Sequence, residues 1–136
     1  MKCRKVLPLL LLWMLFTASV SSAAPAHWTY IATAEARIYS VDTNHVKLKD
    51  DAWNGFCRVD DPRMARYFIY KLQFKELEDG AFDVKLYSGK VYDPYNRLVG
   101  KDPETRSGTV SKGTVLANAC QTLVDSTKKE ASKDAS

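Results

Sequence analysis

The sequence has few of the residues and motifs that build metal centres and active sites. Its 136 residues include three cysteines and two histidines. They contain no CxxC pair, GxSxG elbow, HExxH pair or glycine-rich phosphate loop. The paired carboxylates Asp50–Asp51 and Asp60–Asp61 adjoin turn signals, so we interpret them as solvated loop charges. We therefore expect no catalytic residue, no metal site and no cofactor, and we predict that the protein is not an enzyme.

Net charge is also small in the part of the chain that we expect to persist. The formal charge is +4 at pH 7, but Lys2, Arg4 and Lys5 lie in a segment predicted to be removed, and without them the charge is +1. A nucleic-acid binder needs a basic face to displace counterions from phosphates, so we expect no nucleic-acid partner. The hydrophobic content of 46% is that of a single globular domain.

Residues 1–26 have the order of a secretory signal peptide. A basic start leads into an apolar run from Val6 to about Val20, and small residues follow, with cleavage predicted after Ala23 or Ala26. The apolar run is shorter than the ~20 residues that cross a bilayer, so we expect no membrane span in the mature form. The predicted location of the exported chain is the periplasm, the cell surface or the extracellular space.

Export would remove Cys3 and leave two cysteines, Cys57 and Cys120, in an oxidising compartment. Two cysteines in such a compartment normally pair, so the sequence predicts a disulfide between them. They are 63 positions apart, and closing a loop of that length stabilises a fold by roughly 4 kcal/mol.

Alternating apolar and polar residues predict strands over the first two thirds of the mature chain. The clearest strand puts four apolar residues on one face: Phe68, Tyr70, Leu72 and Phe74. Strands are also predicted to begin near Trp28, Arg37, Trp53 and Phe82, with shorter extended segments near Val46 and Arg97. The dipeptide Asn54–Gly55 fits either the interior of a strand or a tight turn.

The hydrophobic period changes after Gly113. Apolar residues then recur at spacings of three and four, which predicts a helix whose buried stripe is Val115, Leu116, Ala119, Cys120, Leu123 and Val124. Ser111 or Thr114 can cap its start. The predicted fold class is therefore α+β, with about five to six strands followed by one C-terminal helix that the disulfide would fasten to the sheet. The domain is predicted to span residues 27–125, followed by a flexible polar tail over residues 126–136.

Four side chains of the type enriched in protein-binding hot spots cluster around one strand end and the following turn: Tyr87, Tyr92, Tyr95 and Arg97. Tyr95 and Arg97 share a face if the chain is extended there, and Pro94 stiffens the approach. We predict a partner-binding surface at these residues. The alternatives are that the tyrosines pack at the sheet margin, or that a partner uses an open edge of the sheet.

The order of motifs adds a family resemblance. A Trp-led strand at residues 28–31 precedes a Tyr-x-x-Asp-Thr hairpin at residues 38–46, and later segments continue the match: Tyr67–Tyr70, Val91–Asp93, Arg97–Gly100, Thr109–Val110 and Cys120. In this order the chain resembles the bacterial surface-adhesin protein E family. The resemblance implies one antiparallel sheet with a disulfide-held C-terminal helix. It also implies a surface protein that binds host matrix and serum proteins, some members of the family forming dimers.

Together these observations predict a secreted, non-catalytic binding protein that engages a protein partner, either a host matrix or serum protein or an envelope component. The alternative is a periplasmic inhibitor or immunity protein that blocks an enzyme such as a lysozyme or a toxin. An inhibitor would present a loop with a charged or aromatic anchor to a cleft, whereas an adhesin can use a broad face or a sheet edge. An enzyme accessory subunit is a third option, and a homodimer is one form that the protein can take.

Overall fold

The structure, a computed structural model, describes residues 24–134, and it describes side chains as far as residue 129. The signal-peptide prediction and Cys3 therefore lie almost wholly outside the described residues. A short 3₁₀ turn lies at Glu78–Gly80. The strands and the helix are β1 Trp28–Ala34, β2 Arg37–Asp42, β3 Lys47–Lys49, β4 Ala52–Asp61, β5 Arg66–Glu76, β6 Phe82–Leu86, β7 Gly89–Tyr92, β8 Leu98–Asp102, β9 Arg106–Val110 and α1 Val115–Asp134.

The strands form one antiparallel sheet whose main path runs β1-β2-β4-β5-β6-β9. The long strands β4 and β5 lie at its centre and pair from Trp53 opposite Phe74 to Asp61 opposite Arg66. Shorter strands pair with parts of β4 and β5. β3 pairs with the first half of β4, and β7 pairs with the first half of β5 and carries β8 on its other side.

Helix α1 packs on one face of this sheet, called here the inner face. The alternation along β5 is confirmed, because Leu72 and Phe74 point inward and are 0% and 1% exposed. Leu123 of α1 is fully buried in the same cluster. Gly55 of β4 allows this close approach, because a Cβ atom there would lie 3.0 Å from Cδ1 of Leu123. Asn54–Gly55 is thus the interior of a strand and no turn.

The helix begins as predicted but extends further than the hydrophobic stripe. Thr114 caps it, since the Ala117 backbone N–H donates to Thr114 Oγ1 at 3.2 Å. The backbone stays helical from Ser126 to Asp134, where the composition predicts a flexible tail. The hydroxyls of Ser126 and Thr127 donate to carbonyls three residues earlier, each at 2.7 Å. The flexibility of this segment remains a prediction. Among the described residues, no helix has the length and apolarity needed for a bilayer crossing.

The α+β class, the single antiparallel sheet and the one C-terminal helix are confirmed, but the described chain has nine strands rather than five to six. The strand predicted to begin at Phe82 ends at Leu86, and a separate strand, β7, begins at Gly89. Gly89 lies beneath the Tyr70 ring there, and a Cβ atom at Gly89 would come within 2.5 Å of the ring. Strand β9 has no alternation of apolar residues, and its pairing with β6 defines it.

Candidate functional site

The outer face of the sheet, opposite α1, carries no helix in the described part of the chain. At one end of this face four side chains form a row, called here the aromatic row: Trp28, Arg58, Tyr67 and Tyr92. The Arg58 guanidinium carbon lies 3.9 Å from the Tyr67 ring centroid and 5.9 Å from the Trp28 ring. The rings of Tyr67 and Tyr92 stack 5.1 Å apart with their planes 13° from parallel. The row links β1, β4, β5 and β7.

Asp60 fixes the arginine of this row. Arg58 Nε donates to Asp60 Oδ2 at 3.0 Å, and Arg58 Nη2 donates to Asp60 Oδ1 at 2.9 Å. A planar guanidinium can pair with a carboxylate in this bidentate way while it stacks on an aromatic ring. The Asp60 carboxylate and the Tyr67 ring therefore both fix the position of the Arg58 guanidinium. The aromatic row is thus an ordered surface next to the neighbouring loops.

The turn between β7 and β8, residues 93–97, is ordered by Asp93. Its Oδ1 accepts hydrogen bonds from the backbone N–H groups of Tyr95 and Arg97, each at 2.9 Å, and its Oδ2 accepts one from Arg97 Nε at 2.7 Å. These hydrogen bonds to the charged form hold the pKa of Asp93 below its usual value. Asn96 takes the left-handed conformation, with φ of 64°, which asparagine tolerates better than most residues. The Asp93 side chain thus orders the β7–β8 turn in the absence of a partner.

The β7–β8 turn presents an aromatic ring and a cation to solvent. Tyr95 is 78% exposed, and the Arg97 guanidinium lies 5.3 Å from its ring centroid. A groove of about 300 Å³ runs beside this turn, between it and the β4–β5 turn. Tyr67 Oη donates to Asn96 Oδ1 at 2.8 Å, which fastens the turn to the aromatic row. Tyr95 and Arg97 thus lie beside the groove, because Pro94 and Asn96 of the same turn line it.

The structure brings together three of the four predicted binding residues. Tyr92 belongs to the aromatic row, and Tyr95 and Arg97 lie on the adjoining turn. Tyr87 lies elsewhere, among lysines of the outer face, where its hydroxyl donates to Gln73 Oε1 at 2.9 Å. The sequence analysis missed Arg58, although an arginine between the apolar residues Cys57 and Val59 of a predicted strand is a signal that could have pointed to it.

A larger cavity of about 440 Å³ lies between the inner face and the first half of α1. Its lining is mainly apolar and includes Ile31, Phe68 and Leu116. Tyr70 also lines it and donates to Asp102 Oδ2 at 2.9 Å. Burial and this hydrogen bond raise the pKa of Tyr70 to about 12. The phenol is therefore neutral near pH 7 and is poorly suited to act as a general base.

Cys57 on β4 and Cys120 on α1 both lie in the buried layer between the sheet and the helix. They are 4% and 0% exposed, and the structure has both as free thiols, so it does not show the expected bridge. Burial raises the pKa of each thiol to about 12. A thiol with such a pKa is not a nucleophile near neutral pH, because the thiolate is the reactive form.

The carboxylate of Asp42 has a structural role in which it contacts both histidines of the chain, His27 and His45. Buried Asp42 accepts hydrogen bonds from the backbone N–H groups of His27 and Asn44, each at 3.0 Å. His45 Nδ1 lies 2.6 Å from its other carboxylate oxygen. These contacts tie the β2–β3 turn to the start of β1. Within residues 24–134, no three His, Cys, Asp or Glu side chains converge in a way that could hold a metal ion.

Comparisons with protein-family models, with curated proteins and with solved structures found no match for this chain. The resemblance to the surface-adhesin protein E family therefore remains a prediction from the motifs.

Proposed function

We propose that this chain is an exported, non-catalytic binding protein that engages a protein partner through the β7–β8 turn and the groove beside it. The observation that carries the proposal is the combination of high exposure and order in that turn. Tyr95 and Arg97 stand in solvent, yet Asp93 and the Tyr67–Asn96 hydrogen bond fix the backbone that carries them.

A fixed turn is a good binding element because little conformational entropy is lost when a partner docks. Tyrosine and arginine supply large contact areas with polar tips, which is why they are enriched among residues that dominate binding energies. The groove next to them is rimmed by Pro62 and Pro94, so its walls are stiff as well. A partner side chain can enter this groove while Tyr95 and Arg97 contact the surface around it.

The resemblance to the adhesin family makes a host matrix or serum protein, or an envelope component, the first class of partner to test. Self-association is compatible with the same fold. In the described chain β1 pairs with β2 alone, so its other edge is open to a second copy.

The shape of the turn also favours a second candidate function, a periplasmic inhibitor or immunity protein. A loop that presents a ring and a cation together fits the entrance of an enzyme cleft. In that case the partner is an enzyme such as a lysozyme or a toxin, and the binding residues stay the same. The identity of the captured partner distinguishes the two functions.

Export and the Cys57–Cys120 disulfide belong to the same proposal. Cleavage after Ala23 or Ala26 would release a chain that begins just before β1. Cys57 and Cys120 lie on β4 and α1, which pack against each other. They are close enough that a charge on the Cys57 thiol contributes to raising the pKa of Cys120. The bridge would then fasten α1 to the sheet without touching the β7–β8 turn.

The test is capture of partners from host matrix and serum, and separately from the envelope of the producing cell, followed by affinity measurement. Replacing Tyr95→Ala and Arg97→Ala together should weaken binding by about tenfold or more with an unchanged melting temperature. The control variant is Tyr30→Ala with Lys112→Ala, which removes an exposed ring and an exposed cation elsewhere. Equal affinities for all three proteins would exclude the turn as the binding site.

A further inference from the structure

We propose that a second surface of this protein binds a sulfated polysaccharide. The surface lies on the outer face of the sheet, beside the aromatic row, and the inference does not depend on the β7–β8 turn. Strand register brings exposed lysines from five strands to this face, and we call them the lysine face: Lys47, Lys49, Lys71, Lys75, Lys85, Lys90 and Lys101.

The register shows how closely these charges are placed. Lys47 pairs with Asn54, Asn54 with Gln73, and Gln73 with Lys85, so these four residues form one row across β3, β4, β5 and β6. Directly paired residues point to the same side of a sheet, and neighbouring strands are about 4.8 Å apart. The two lysines of this row are therefore three strand spacings apart, roughly 14 Å, whereas Lys90 and Lys101 pair directly and are one spacing apart.

Within the described residues, none of these lysines takes part in an ion pair. The ion pairs found there use Arg37, Arg58, Arg97 and Arg106, and a fifth close contact joins His45 to Asp42. Asp83 lies opposite Lys75, and Asp50 borders the same area. Lys90 lies directly opposite Lys101 on the neighbouring strand, an arrangement of like charges that destabilises a sheet. A bound polyanion would relieve that repulsion.

Tyr87 organises the centre of the lysine face. The ammonium groups of Lys71 and Lys85 lie 5.6 Å and 5.1 Å from its ring centroid, within the range of cation–π attraction. Its hydroxyl is held by Gln73. The sequence analysis grouped Tyr87 with the protein-binding tyrosines. In the structure its ring contacts the ammonium groups of Lys71 and Lys85 and positions these two cations.

The chemistry of this face fits a sulfated polysaccharide better than other polyanions. A single-stranded nucleic acid would need free aromatic rings for base stacking, and Tyr87 is engaged with two lysines. A membrane surface would need a continuous apolar strip, whereas the exposed apolar side chains of this face are separate: Phe56, 38% exposed, lies opposite Lys71, and Leu98, 53% exposed, lies opposite Tyr92. Lysines are compact point charges that suit repeated, freely oriented anionic groups.

Binding of the protein, purified after export, to heparin tests the proposal. The lysine-face variant combines Lys71→Gln, Lys85→Gln and Lys90→Gln. The control combines Lys112→Gln, Lys128→Gln and Lys129→Gln, which removes the same charge from exposed lysines off this face. We expect the lysine-face variant to bind heparin about tenfold more weakly. We also expect its salt slope to fall by about one per lysine removed, and the control to match the wild type.

Each other outcome would overturn the proposal. Equal losses in both variants would mean that heparin responds to net charge alone. Equal binding of unsulfated hyaluronan would remove the role of sulfate, and tighter binding of duplex DNA or of phosphatidylglycerol vesicles would assign the face to another class of ligand. Thermal unfolding gives an independent readout, because heparin should raise the melting temperature of the wild type and control but barely that of the lysine-face variant.

Discussion

Reduction of the proposed Cys57–Cys120 disulfide is the perturbation with the most direct expected consequence for stability. Cys57 lies at the centre of β4 and Cys120 on the buried side of α1, so a bond between them joins the two layers of the fold. Burial raises the pKa of each thiol to about 12. Since thiolates carry out thiol–disulfide exchange, we expect the bridge to form while the chain folds and to resist reductant afterwards.

The size of the effect follows from the loop that the bridge closes. The two cysteines are 63 positions apart, and the chain-entropy relation gives about 4 kcal/mol for such a loop. That is a large part of the 5–15 kcal/mol by which domains of about this size are typically stable. At roughly 4 °C per kcal/mol for a domain of about 110 residues, the reduced protein should melt about 15 °C lower.

The assay has two readouts. Thiol labelling in denaturant without reductant should find no free thiol in the exported protein, and melting should be compared before and after reduction in denaturant followed by refolding. Partner binding below the melting temperature should be unchanged, because both cysteines are buried between the sheet and α1, on the side of the sheet opposite the aromatic row. Two labelled thiols per chain, or equal melting temperatures, would refute the bridge.

Two further predictions concern the core and the turn. Leu123→Ala should lower the free energy of unfolding by about 3 kcal/mol in denaturant titration, because this side chain is fully buried against the sheet. The matched variant Leu48→Ala, at a site that is 59% exposed, should cost less than about 0.5 kcal/mol, and similar losses would contradict the packing of α1. Asp93 has a lowered pKa, so its contribution to turn order is full above its usual pKa of 3.8 and is lost as pH falls through the lowered value. An NMR titration that gives Asp93 a pKa of 3.8 or higher would contradict the hydrogen bonds around it.

The sheet could be predicted where each strand carries its own pattern. Every second residue of β5 is apolar from Phe68 to Phe74, and such residues can be buried together only on one side of a strand. Strand β9 could not be predicted in this way, because its residues form a strand only when β6 pairs with them. The helix was predictable through its stripe, but Ser126 and the residues after it depend on backbone and hydroxyl hydrogen bonds rather than on apolar spacing.

The sites show the same division between local and long-range information. Tyr95 and Arg97 are two residues apart, so their proximity follows from the sequence alone. The contact of Arg58 with Tyr67 requires the β4–β5 register, which pairs Arg58 with Ile69 and places Tyr67 diagonally next to it. The lysine face was hidden for a similar reason, because a net charge close to zero does not say which charges share a face.

Hydroxyl-radical footprinting tests most directly whether the β7–β8 turn binds the partner. Free protein should be modified readily at both Tyr95 and Tyr30, which are 78% and 62% exposed and lie toward opposite edges of the sheet. With the captured partner bound, we expect modification of Tyr95 to fall steeply while Tyr30 keeps the rate of the free protein. Protection of Tyr30 with Tyr95 still fully reactive would contradict the proposed site and move it to the open edge of β1.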